Sequence, residues 1–162
     1  MPLTDFANDA KPVLVNVWLD KTEGVNGMYA ANDGRLLGAQ AFGHRVVSYA
    51  IGDAGPADTR VLLHDTKLHQ PNDVAQSPNG DVYFTDPDFK DGATSAVYVI
   101  TANGALKRII EDMRIPNGLK VSNDGRTLYV ADTNNHRIQV VDMKTKAVAT
   151  LNLQGVEAPR RK

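Results

Sequence analysis

The sequence predicts an all-β fold, a β-propeller of about three four-stranded blades. Two observations carry that prediction. The first is internal repetition. Pro71-Asn72-Asp73-Val74, with its turn Pro78-Asn79-Gly80 and returning segment Asp81-Val82-Tyr83-Phe84-Thr85-Asp86, matches a later stretch. That stretch is Pro116-Asn117-Gly118-Leu119, then Asn123-Asp124-Gly125, then Arg126-Thr127-Leu128-Tyr129-Val130-Ala131-Asp132. An upstream copy runs Asn26-Gly27-Met28-Tyr29, then Asn32-Asp33-Gly34, then Arg35-Leu36-Leu37-Gly38-Ala39. Asn26, Asn72 and Asn117 stand 46 and 45 residues apart, the length of one propeller blade. The second observation is that no segment sustains a 3.6-residue period over about ten positions, so helices are not expected. A sandwich of short strands has turns as frequent, but gives no reason for this self-similarity.

Each copy opens with an extended segment after its asparagine. A tight turn rich in Asn and Gly follows, since both tolerate the positive φ of hairpin turns, and a β-rich strand returns. Third strands are expected at Arg45–Ile51, Ala96–Thr101 and Arg137–Asp142, and fourth strands near Arg60–Leu63, Leu106–Ile110 and Ala147–Leu151. The connecting turns again carry Gly or Asn, as in Gly52-Asp53-Ala54-Gly55 and Ala102-Asn103-Gly104. The blades then cover approximately residues 22–66, 67–113 and 114–153 of a single domain. Pro12–Leu19, an apolar run interrupted by Asn16, reads as a strand of a neighbouring blade.

Composition excludes several classes of function. With 18 basic and 19 acidic side chains the net charge is −1, which gives no electrostatic case for nucleic acid or an anionic membrane. Cysteine is absent, removing disulfides, thiol nucleophiles and thiolate metal sites. No basic segment followed by an apolar run opens the chain, so a cytoplasmic location is expected, with the periplasm left open. No apolar run approaches the ~18 residues that span a bilayer. Arg160-Arg161-Lys162 is too short a basic tail to argue a partner.

Three blades do not make a closed ring, which takes roughly four to eight. An isolated arc leaves the apolar faces of its end blades in water, at a cost on the order of 10 kcal/mol of lost burial. That is comparable with the net stability of a domain. Two chains closing one ring as a homodimer, a piece of a longer chain, and a weakly stable open arc all fit, and the homodimer is favoured because an arc with sticky ends invites aggregation.

The two Pro-Asn motifs and the strands after them resemble the gluconolactonase and regucalcin family, over roughly residues 22–151. The resemblance implies a six-bladed propeller that hydrolyses a small-molecule lactone with a divalent metal, usually Ca²⁺, on its axis. It implies that Asn117 is a metal ligand and that Asn72 faces the metal or the metal-bound substrate, with Asn26 a further candidate for substrate binding. Amide oxygens suit a hard cation, which would polarise the lactone carbonyl for attack by water. The family's metal-binding Glu, from a Glu-Gly-Pro-like motif, has no counterpart before residue 26; Glu23-Gly24 falls in the wrong blade. Its catalytic Asp belongs to the blade after that of Asn117, where Glu157 is the nearest substitute. Asp73 is the nearest carboxylate to the asparagines, a candidate ligand or base. An arginine common two residues before the first Asn is here Gln70.

Other residues read as structural. Asp86 and Asp132 close second strands, where a carboxylate typically ties the following loop by accepting backbone N–H groups. His44, His64, His69 and His136 lack zinc spacing, and Ser48, Ser77, Ser95 and Ser122 have no evident base. Finally, Val130-Ala131-Asp132-Thr133-Asn134-Asn135-His136-Arg137 through Asp142 resembles the NHL repeat of interaction scaffolds, so a non-catalytic binding propeller is the alternative function.

Overall fold

A computed structural model describes residues 17–151. They form twelve strands in three four-stranded antiparallel sheets. The first blade contains β1 (Val25–Ala30), β2 (Leu36–Gln40), β3 (Arg45–Ala50) and β4 (Asp58–His64). The second contains β5 (Val74–Gln76), β6 (Val82–Asp86), β7 (Ala96–Ile100) and β8 (Leu106–Ile110). The third contains β9 (Pro116–Val121), β10 (Thr127–Asp132), β11 (Arg137–Asp142) and β12 (Val148–Thr150). Strands are hydrogen-bonded in chain order within every sheet, so each blade is a meander of four consecutive strands. The expected turns are present: Gly34, Gly80 and Gly125 each adopt positive φ between first and second strands, where a Cβ would be strained.

Registers match from blade to blade. Val82 lies opposite Gln76 and Ile100, as Leu128 lies opposite Val121 and Val141. Side chains alternate between the two faces of each sheet, and both faces of the middle blade are dry. One face presents Val74, Val82, Phe84 and Ile100 to Leu37, Ala39 and Val46 of the first blade. Phe84 is fully buried there and stacks on Tyr98 at 5.3 Å. The other face presents Ala75, Tyr83, Val97 and Val99 to Leu119, Leu128 and Val130 of the third. The blades therefore stack face to face as in a propeller, with the first strands β1, β5 and β9 side by side on the inner edge.

Of the expected strand Pro12–Leu19, residues 12–16 lie outside the described residues, and 17–19 are not a strand. The reason is local. The Trp18 indole N–H donates to the Gly52 carbonyl at 2.7 Å, and its ring meets Tyr49 edge-on at 6.2 Å. That holds the segment across the outward face of the first blade. Among the described residues no helix is long and apolar enough to cross a membrane.

Candidate functional site

The three landmark asparagines lie where the inner strands begin, and the chain is tightly laced at that end. Gly27 N–H donates to the Asn72 carbonyl at 2.6 Å, joining the first two blades. The Thr85 hydroxyl donates to the Asn117 carbonyl at 2.8 Å while accepting from Asp73 N–H at 3.0 Å, joining the second and third. The Asp73 carboxylate completes the lacing: Oδ2 accepts Leu119 N–H at 2.8 Å and Oδ1 accepts Val74 N–H at 2.9 Å. The residues that follow the asparagines are Gly27, Asp73 and Gly118, and at Gly27 the inequality has a steric reason. A Cβ on Gly27 would collide with the Asp73 side chain and main chain, whereas one on Gly118 would make only ordinary contact, 3.8 Å from Asp73 Oδ2. One carboxylate sits where two of the three strands carry no side chain.

The asparagine side chains differ in setting. Asn72 is 4% exposed, yet its amide hydrogen-bonds to no described residue, nor is it among the sealed polar atoms that lack a partner. Its tip therefore keeps a narrow opening to solvent. A buried polar group normally has a partner, since leaving one unmade costs ~1–3 kcal/mol. Asn117 is half-buried and Asn26 exposed, and neither side-chain amide bonds to a described residue.

A second device sets the loops that lead to these asparagines. Asp86 is buried and accepts His69 N–H at 2.9 Å and Gln70 N–H at 2.8 Å. Asp132, also buried, accepts Arg114 N–H at 3.1 Å and the Arg137 guanidinium at 2.7 Å. His69 and Arg114 each stand three residues before the landmark asparagine. Both aspartates were expected to tie the loop after their strand. Asp132 does so, accepting the Asn135 side-chain amide at 3.0 and 2.9 Å, and both aspartates also hold the loop before the blade's first strand. Antiparallel pairing explains this second hold, because the end of the second strand lies beside the start of the first. Burial pushes the Asp86 carboxyl pKa up, opposed by the two N–H groups it accepts. In the first blade the corresponding residue is neutral Gln40, whose amide donates to the Tyr49 hydroxyl. The loop of the third blade also holds Ile115 at φ 58°, a costly conformation for a β-branched residue, directly before Pro116-Asn117. Nothing in the bare sequence marks Thr85 or Ile115; the Gly-Asp-Gly inequality was visible there as a departure from strict repetition.

The donor set fits a divalent ion only in part. Asn72 and Asn117 offer neutral oxygens, but Ca²⁺ takes six to eight oxygens including carboxylates. Among the described residues no group of three or more His, Asp and Glu could hold a metal. Both oxygens of Asp73 already accept main-chain hydrogens, and Glu157 lies outside the described residues. These three blades alone do not complete such a site.

A stack of four-stranded blades with polar side chains at the starts of its inner strands defines the chain as a section of a β-propeller. Residues 9–156 match the family model described as SMP-30/Gluconolactonase/LRE-like region, and the chain belongs to that family. It is 31% identical to the gluconolactonase of Zymomonas mobilis over 123 residues, covering 68% of this chain and 34% of that protein. Human NHL repeat-containing protein 2 is 40% identical over 79 residues, covering 48% of this chain and 11% of that protein. A solved gluconolactonase from Xanthomonas campestris superposes with a TM-score of 0.68 at 25% identity, covering 82% of this chain and 49% of that one. The chain thus spans about a tenth to a third of these curated relatives and half of the solved propeller.

Proposed function

We propose that this chain forms half of a lactone-hydrolysing propeller, with the landmark amides at the mouth of the completed ring. The observation that carries the reading is the Asn72 amide, buried at the start of an inner strand yet without a hydrogen-bond partner among the described residues. Such a group is left free where a ligand supplies its partner. In this reading Asn72 and Asn117 bind a divalent ion, Ca²⁺ by their chemistry, and orient the lactone, while Asn26 contacts the substrate from the first blade. Bound metal would supply Lewis-acid polarisation of the lactone carbonyl. Asp73 acts as a positioning residue, because its carboxylate fixes the main chain two residues after Asn117. The charged metal ligands and the base that activates water come from blades that complete the ring, or from Glu157.

The test follows proton release from glucono-δ-lactone with purified chain, with Ca²⁺ or with chelator. Hydrolysis above the uncatalysed rate, lost with chelator and reduced at least ~100-fold in Asn117→Ala, is expected. Activity indifferent to both overturns the reading. The 40% identity to an NHL repeat protein supports a second reading, a binding propeller without catalysis. It predicts no hydrolysis and no effect of chelator on melting temperature.

A further inference from the structure

We infer that Phe42 and Phe89 form an apolar rim beside the landmark amides, and that the mouth takes a lactone ring carrying an apolar substituent in preference to a sugar lactone. The inference rests on the proposed reading for the lactone ring; the rim itself is argued from the loops.

An antiparallel second strand ends where the first begins, so the loops from second to third strand stand at the same end as Asn26, Asn72 and Asn117. They are residues 41–44, 87–95 and 133–136. Of the phenylalanines among the described residues, Phe84 is sealed in the core, whereas Phe42 is 72% exposed and Phe89 49%. Both exposed rings belong to this one class of loop, on neighbouring blades. A single exposed apolar side chain needs no explanation, but two at corresponding places point to a shared use.

Each is tied to the segment that leads into an asparagine. Phe42 N–H donates to the Glu23 carbonyl at 3.0 Å, and Gly43 N–H to the same oxygen at 3.2 Å. Glu23 stands three residues before Asn26. The Phe42 ring lies close over Gly24, where a Cβ would come within 2.6 Å of a ring carbon. In the second blade the tie runs through Asp88, whose Oδ2 is 4.0 Å from Nδ1 of His69, three residues before Asn72. Asp88 also knits its own loop. Oδ1 accepts Lys90 N–H at 2.9 Å, Oδ2 accepts the Thr94 hydroxyl, and Asp88 N–H donates to Ser95 Oγ at 2.9 Å. Gly92 N–H closes on the Asp88 carbonyl at 2.8 Å. The main chain of Phe89 is therefore fixed before any ligand arrives, which lowers the ordering cost of using its ring in binding.

The third blade breaks the pattern. Asn134 N–H donates to the Arg114 carbonyl at 3.4 Å, as Phe42 does to Glu23, and Arg114 likewise stands three residues before its asparagine. The rim is thus apolar over the first two blades and polar over the third. A sugar lactone, with a hydroxyl on most of its carbons, has little apolar surface to bury there. A lactone bearing an alkyl chain offers its ring oxygens to the amides of Asn72 and Asn117 and its chain to Phe42 and Phe89. That contact removes apolar surface from water on both partners.

The test compares glucono-δ-lactone with δ-decanolactone, which has the same six-membered ring, a pentyl chain and no hydroxyl groups. With purified full chain and Ca²⁺, kcat/KM should favour δ-decanolactone at least ~10-fold. Phe42→Ser and Phe89→Ser, checked for folding by circular dichroism, should each raise KM for δ-decanolactone at least ~5-fold more than KM for glucono-δ-lactone, with kcat little affected. Equal effects on both lactones, or no preference in wild type, overturn the inference. A second arm needs no hydrolysis: δ-decanolactam and the unsubstituted δ-valerolactam are titrated against the chain by saturation-transfer NMR. Wild type should bind δ-decanolactam at least ~10-fold tighter, and the double variant Phe42→Ser with Phe89→Ser should lose that preference. If neither lactone is hydrolysed while this preference holds, the lactonase reading fails and the rim stands; no preference between the lactams overturns the rim. Sedimentation with phosphatidylcholine vesicles that depends on the two phenylalanines, without a preference between the lactams, assigns them to a lipid surface and overturns it as well.

Discussion

Replacing Asp73 with Asn tests the lacing of the inner strands at nearly constant shape. Asp73 accepts two main-chain N–H groups, one on each oxygen, at 2.9 Å from Val74 and 2.8 Å from Leu119. An amide has one oxygen and one NH₂ group, so in either orientation one N–H faces a donor. The loss is one hydrogen bond to a charged acceptor together with an unsatisfied donor, which amounts to roughly 2–3 kcal/mol after allowance for the half-buried setting. Against a net stability of ~5–15 kcal/mol, that is a large fraction. With an m-value of ~2 kcal/mol/M the urea midpoint should fall by about 1–1.5 M, with the slope unchanged. The assay is equilibrium urea unfolding followed by tryptophan fluorescence and circular dichroism in parallel. A midpoint within about 0.2 M of wild type refutes the reasoning, since it would mean the carboxylate holds nothing that an amide cannot. Wild-type stability combined with a large loss of hydrolysis would instead identify Asp73 as the base.

Two further outcomes follow from buried polar groups. Asn72→Ala removes an amide that bonds to no described residue while keeping both main-chain bonds, so stability should stay within about 0.5 kcal/mol of wild type by the same urea assay, while any lactone hydrolysis is lost. Burial holds the Tyr83 hydroxyl pKa up at about 12, against an ordinary 10. The folded state keeps this proton after the unfolded chain has released it, so the stability it contributes is complete below pH 10 and lost as pH rises towards about 12. Urea midpoints measured across that window should decline less steeply in Tyr83→Phe, with a residual slope from Tyr49 and Tyr98, which burial shifts the same way.

The blades were legible because the sequence repeats a whole unit of folding. Alternating strands, Gly-bearing turns and the spacing of Asn26, Asn72 and Asn117 all state the same architecture, and consistency of that kind marks a strongly specified fold. The site was legible only to the level of residue type and strand position. That Asn72 is buried and Asn26 exposed depends on which blades flank each strand, and the first blade has no described sheet behind it. The loop held by Asp86 was misjudged because sequence neighbours were considered before antiparallel neighbours. Residues 17–19 failed as a strand because Trp18 found a carbonyl and an aromatic edge on the first blade. A run of apolar residues cannot declare which partner it will meet.

The aspartates that end the second strands have a consequence for how such proteins diversify. Asp86 and Asp132 each hold a loop belonging to their own blade, but the asparagines that follow are also bonded across blades, Asn72 to Gly27 and Asn117 to Thr85. The direction in which a landmark side chain points is therefore fixed jointly by its own unit of about 45 residues and by the unit before it. A duplicated or transplanted blade would bring its loop already held, and would need a Thr85- or Asp73-like neighbour to complete the aim of its asparagine.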